Sequence, residues 1–275
     1  MKRLALIKPV LVAVMLGTGV SQAAPDAASV LAASPIDDIV ERYPAMLSQG
    51  IREGLKKRGQ VPPMVADTVG YVVSSSFSAD RIEQQIVTDL KAQLSGQQLQ
   101  AVSEWYQTPV AKKISQAEIA ASAPEVWAKI QSQAPELNRQ YKGTRKAEMF
   151  ARYDRAARAT ESAVDTTIAV QLGLASAMSA FSGESVHYDQ LERRIESQRG
   201  VLRGVVGQQV YDSYLYTYDN ISVQEMGLYL DFLESESGKR FSRVVTNSIQ
   251  QAIMAPVESI GRQISRFMAP PAGSE

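Results

Sequence analysis

One segment occurs twice, and it restricts the possible folds more than any other feature. Leu94–Ser115 reads LSGQQLQAVSEWYQTPVAKKIS, and Ile221–Ser242 reads ISVQEMGLYLDFLESESGKRFS, 127 positions later (222 − 95). Ser95, Gln97, Lys112 and Ser115 recur as Ser222, Gln224, Lys239 and Ser242, while Trp105, Thr108 and Lys113 return as Phe232, Ser235 and Arg240. Each copy opens on a helix start. Ser95 with Gln98, and Ser222 with Glu225, fit the capping box, in which the serine accepts from the third helical N–H and the long side chain reaches back. Leu94 with Leu99, and Ile221 with Met226, stand where a hydrophobic staple needs them. Leu99, Val102 and Tyr106 then recur at helical spacing, as do Met226, Leu230 and Leu233.

Both helices are expected to stop near Gln107 and Glu234. Thr108 precedes a proline and so avoids the helical region. It is free to cap a new helix with Pro109 in the first position, and Ser235 takes the same part in the second copy. Ala111 and Gly238 share one position, where a small residue lets two helices approach closely. Ser95, Thr108, Ser222 and Ser235 are therefore the expected structural caps of two tight helix–corner–helix units.

The run Tyr106-Gln107-Thr108-Pro109-Val110-Ala111-Lys112 resembles the signature of a family of secreted bacterial helical proteins, domain of unknown function 2059. There an aromatic residue, Ser-Pro and then Gly-Lys or Gly-Gln follow a Ser/Thr-capped helix. The first copy has the proline but Ala111 for glycine, and the second has Gly238-Lys239 but Glu236 for proline, so the resemblance reads as two degenerate copies. It implies a secreted helical domain with no accepted activity, hence no catalytic residue.

The expected fold class is all-α, with two tandem pseudo-repeated helical lobes at 35–135 and 162–268 joined by a long basic helix over 136–161. Met1–Ala23 is expected to be a signal peptide. Lys2, Arg3 and Lys8 form a basic start, Val10–Val20 is too short for a comfortable membrane span, and Ser21-Gln22-Ala23 is a small-x-small cleavage site. That points to the periplasm, with cleavage after Ala23. Residues 24–34, rich in Ala and Ser, read as a flexible lead-in and the Pro/Gly-rich 269–275 as a disordered tail. Pro44 and Pro124 are expected to kink or break their helices.

Charge and composition bound the chemistry. The 29 basic and 29 acidic residues balance, and removing the three leader cations leaves 26 against 29, so no global field favours nucleic acid. There is no cysteine, which excludes disulfides, thiolate metal sites and cysteine nucleophiles together. No His pair, HExxH or Asp-rich calcium loop is present, so no metal or cofactor is expected. His187, the lone histidine, stands near Ser182, Ser185 and Asp189 without a nucleophile-elbow motif, and reads as a solvated turn residue.

Three groups remain as candidates. Glu104 and Asp231 are equivalent positions that could face one another as a glycan-cleaving carboxylate pair, although local pairing with Lys112 and Lys239 is the simpler expectation. Tyr211, Tyr214 and Tyr218 share a helical face, suited either to core packing or to stacking a ligand. Arg139, Lys142, Arg145, Lys146, Arg152, Arg155 and Arg158 make the connecting segment basic, and Arg152, Arg155 and Arg158 are the binding candidates for an envelope protein or an anionic membrane surface. The sequence thus favours a non-enzymatic adaptor of the cell envelope. A carrier of an apolar or lipid-like ligand between the lobes is the alternative, and a glycan hydrolase the third reading. One large apolar cavity would favour the carrier, and a solid core with an exposed patch the adaptor.

Overall fold

A computed structural model describes residues 24–58, 64, 67, 68, 70, 71, 75, 77–182 and 188–268. The leader, the segment 59–63, His187 and the tail 269–275 lie outside the described residues. Among those described the protein is all-α, without a strand. In chain order the helices are α1 (Ala27–Ala32), α2 (Ile36–Arg58), α3 (Ala79–Gln93), α4 (Gly96–Gln107), α5 (Pro109–Ala121) and α6 (Trp127–Tyr141). Then come α7 (Arg145–Ala157), α8 (Ala159–Ser182), α9 (Tyr188–Glu196), α10 (Arg199–Thr217), α11 (Val223–Glu234) and α12 (Glu236–Met268). A 3-10 turn, Pro124–Val126, separates α5 from α6.

The two corners are built from matching bonds. Ser95 Oγ accepts from the Gln98 N–H at 3.2 Å, and Gln98 Oε1 accepts from the Ser95 N–H at 3.0 Å. Ser222 and Glu225 make the same pair at 3.2 and 2.7 Å. The helices that follow, α4 and α11, each run 12 residues and end on an extended residue, Thr108 or Ser235. Thr108 Oγ1 donates to the Trp105 carbonyl at 2.8 Å and accepts from the Ala111 N–H at 3.1 Å. Ser235 Oγ donates to the Phe232 carbonyl at 2.7 Å and accepts from the Gly238 N–H at 3.0 Å. The second corner is closed to a distance only glycine allows, since a Cβ on Gly238 would stand 2.0 Å from the Phe232 carbonyl oxygen.

The corners also meet. The rings of Trp105 and Phe232 stack at 4.8 Å with 9° between their planes. Both pack against two core clusters at once. One cluster joins Val30, Ile86, Leu90 and Val102 to Phe241 and Val244 of α12. The other joins Ile114, Leu137 and Met149 to Leu215, Met226 and Leu230. Each cluster therefore draws on both halves of the chain.

Several expectations are corrected. The connecting segment 136–161 is not one helix. It is the end of α6, then α7, then the start of α8. Gly143 takes φ +72°, a left-handed conformation that suits glycine, and Thr144 caps α7 by accepting from the Ala147 N–H at 3.4 Å. Arg158 also turns left-handed, at φ +53°. The Asp154 carboxylate then holds the start of α8 by accepting from the Thr160 N–H at 2.7 Å. The lead-in is not flexible throughout: Asp26 caps α1 by accepting from the Ser29 N–H at 2.7 Å, and Val30 and Leu31 are buried in the core. Pro44 lies within α2, and Pro124 opens a break. Gln251 stands 127 positions after Pro124, and there α12 continues unbroken to 33 residues.

Two outcomes follow from the corners. Ser95→Ala and Ser222→Ala should each cost about 0.5–2 kcal/mol through loss of an N-cap, read by thermal unfolding. Gly238→Ala should cost about 1–3 kcal/mol, since its methyl group must push the corner open. An unchanged melting temperature would show that the corner is looser than described.

Candidate functional site

Helix α5 carries Ala111, Ile114 and Glu118 at spacings of three and four, which places them on one face. Ala111 and Ile114 are buried, and Glu118 stands on the same apolar stripe. Its Oε1 accepts from the Tyr218 hydroxyl at 2.6 Å and from the Tyr229 hydroxyl at 2.8 Å. Tyr218 closes α10 and Tyr229 lies midway along α11, so three helices converge on one carboxylate.

A second shell of bonds holds Tyr218 in place. Buried Lys146 donates through Nζ to the Tyr218 and Asp219 carbonyls, both at 2.8 Å. A cation is well placed there, at the negative end of α10. Its ammonium also lies 4.8 Å from the centre of the Tyr141 ring. Tyr141 donates to the Asp219 carboxylate at 2.5 Å, and burial together with that carboxylate pushes its phenol up to about 12. Tyr214 donates to the Lys146 carbonyl at 2.9 Å. The rings of Tyr153 and Tyr214 stand 5.3 Å apart, and those of Tyr153 and Tyr218 5.5 Å apart.

Tyr153, Tyr214, Tyr218 and Tyr229 line a cavity of about 510 Å³. Ile39 of α2, Val206 and Val210 of α10, and Val245 and Ile249 of α12 supply much of its apolar lining. Ser213, Thr217, Ser242 and Thr246 add hydroxyls. Among the described residues that line it, Glu118 is the only charged side chain. It is partly accessible yet crowded enough that burial raises its carboxyl above the ordinary value, with the two tyrosine hydrogen bonds opposing that rise. Burial first, and the Glu118 charge second, hold Tyr218 and Tyr229 far from ionisation. The arrangement can therefore accept an apolar body and present one carboxyl to it.

A smaller cavity of about 220 Å³ lies among α8, α9, α10 and α12. Arg199 there already pairs with Asp165 at 2.7 Å, Glu196 at 2.8 Å and Glu161 at 3.1 Å. Among the described residues no group of three or more His, Cys, Asp or Glu could hold a metal ion. No helix among them is long and apolar enough to cross a membrane.

The sequence candidates fall in different places. Tyr214 and Tyr218 line the cavity, but both are buried, so they offer no stacking surface to solvent. Tyr211 is not among the lining residues and packs edge-on against Phe150 at 4.9 Å. Arg152 is held by Glu234 at 2.6 Å and Asp231 at 3.3 Å, while Arg155 and Arg158 are exposed. The basic stripe is not continuous: its helix is broken, Lys146 is buried, and Arg139 and Arg145 pair with Glu136 and Glu148. Glu104 accepts from Gln100 at 2.8 Å and Asp231 pairs with Arg152, so neither uses the lysine expected of it.

Glu118, Tyr153 and Tyr229 were not among the sequence candidates. One signal was available for Glu118. The position 127 residues later is Val245, a buried core residue, so the comparison of the copies sets a carboxylate against a valine.

Comparison with known proteins finds a similarity over part of this frame. Residues 80–140 match the family model described as an uncharacterized protein conserved in bacteria, DUF2059. That span runs from α3 through α6 and includes the first corner and Glu118. No curated protein matches the chain, and no solved structure does.

The raised Glu118 carboxyl has a consequence for stability. A folded-state value above the ordinary 4.5 favours the folded state below that pH, and the advantage is lost as pH rises through the folded value. Glu118→Gln removes this titration. The melting temperature of the Gln variant should therefore rise relative to the natural chain between acidic and neutral pH. A constant difference across that range would mean that Glu118 titrates as a solvated carboxyl.

Proposed function

We propose that the protein is a non-enzymatic carrier that encloses the apolar body of a small ligand between its helices. The observation that supports this is the cavity of about 510 Å³, in which Ile39, Val206, Val210, Val245 and Ile249 stand among tyrosine rings and hydroxyl groups. Sites for small organic ligands commonly occupy roughly 300–1,000 Å³. The sequence reading favoured an adaptor and named a large apolar cavity as the feature that would favour a carrier instead. Exposed Val201 and Val205, one turn apart on α10, speak for the adaptor, but isolated exposed apolar residues are ordinary at a protein surface. The hydrolase reading has less support, because Glu118 has no second carboxylate among the cavity's lining residues.

The proposed setting is the periplasm. Its support is the basic start, apolar run and small-x-small site within residues 1–23. We also read the two corner units as copies of one ancestral helix pair. The shared capping boxes, the equal lengths of α4 and α11 and the matching corner bonds support that reading.

A neutral apolar fluorophore such as diphenylhexatriene tests the carrier directly. It should bind with a rise in emission, and Ser213→Phe, which fills the cavity from α10, should weaken binding at least about tenfold. Ala157→Leu fills the cavity from α7 and serves if the first variant does not fold. Absence of binding, or binding indifferent to both fillings, would overturn the proposal.

A further inference from the structure

We propose that the cavity takes an organic ammonium ion with an apolar tail, its nitrogen seated against Glu118; this rests on the carrier reading above. Glu118 Oε1 is occupied by the two tyrosine hydroxyls, while Oε2 accepts no hydrogen bond from the described residues. Among the described residues, no lysine, arginine or histidine lines the cavity. The carboxylate therefore lacks a cation of its own inside an apolar wall. Such a charge is expensive to bury unpaired, and two hydroxyl donors offset only part of the cost.

The surroundings select the sign of the ligand. Tyr106, Tyr153, Tyr214, Tyr218 and Tyr229 line the same space, and the faces of aromatic rings attract cations, most strongly where water is excluded. An ammonium group would gain both the ring faces and the free carboxylate oxygen. An anionic head would meet Glu118 with no cation to balance it. A neutral head would leave the carboxylate uncompensated. The remaining volume calls for a tail, because Ile39, Val206, Val210 and Ile249 line it with hydrocarbon.

The test displaces the bound fluorophore from the full chain with ligands of one tail length. Octyltrimethylammonium, octanol and octanoate serve as cationic, neutral and anionic probes. The cation should displace at concentrations at least tenfold below those of the other two. Glu118→Gln should abolish that preference, so that the cation displaces no better than octanol. In the natural chain, lowering the pH should weaken displacement by the cation and not by octanol, which keeps the test independent of any variant's folding. Displacement by octanoate as strong as by the cation, or a preference unchanged in Glu118→Gln, would overturn the ammonium assignment and leave the carrier standing. Failure of the fluorophore itself to enter the cavity would overturn both.

Discussion

The stack of Trp105 on Phe232 is the contact on which the two cores depend. These rings occupy matching places in the two corners and lie 4.8 Å apart, nearly parallel. Each sits in the last turn of a capped helix of 12 residues, three positions before the residue that caps the next. The hydrogen bonds of the corner therefore decide where the ring stands. Both rings pack into both clusters, so disturbing one corner is felt on either side. Tyr106 adds edge contacts to Phe232 and Phe241 at 5.8 Å each, tying α4 to the beginning of α12. Offset and edge-on aromatic pairs contribute about 0.5–1.5 kcal/mol each beyond the area they bury.

Beyond that stack the helices do not close completely. The space left is the cavity, and Glu118 is the charged group among the described residues that line it. A valine at this place would resemble Val245, which is buried in the other core cluster. The chain instead sets a carboxyl there and supplies two tyrosine hydroxyls to one of its oxygens. Lys146, itself buried, fixes Tyr218 through its carbonyl. Burial lowers the Lys146 ammonium from its ordinary value, and Asp219 opposes that shift. Polar groups arranged in this way are costly for a fold whose stability is only about 5–15 kcal/mol. Glu118, Tyr218 and Tyr229 stand at the cavity wall, with Lys146 behind them.

What the sequence disclosed was local. Capping residues act over three or four positions, and Ser95, Thr108, Ser222 and Ser235 were readable because each bond partner lies three residues away. The helical class followed from apolar spacing for the same reason. The connecting segment was misread because Arg158 carries no compositional mark of a left-handed turn, and Asp154 reaches six residues forward to cap α8. The short α1 was missed because its apolar residues are too few to show a period. The site lay beyond sequence reach since Glu118 meets Tyr218 and Tyr229 across 100 and 111 residues. Contacts at that separation are settled by packing, and only the Glu118/Val245 mismatch between the copies pointed toward them.

Methyl-resolved NMR during titration with an apolar ligand asks most directly whether the cavity is the place of binding. Ile39, Val206, Val210, Val245 and Ile249 line it, whereas Val201, Val205, Val223 and Leu228 are exposed. The cavity methyls should shift together and saturate at one ligand per chain, with the exposed set unmoved. Shifts confined to the exposed set would contradict the account and return the protein to the class of surface adaptors.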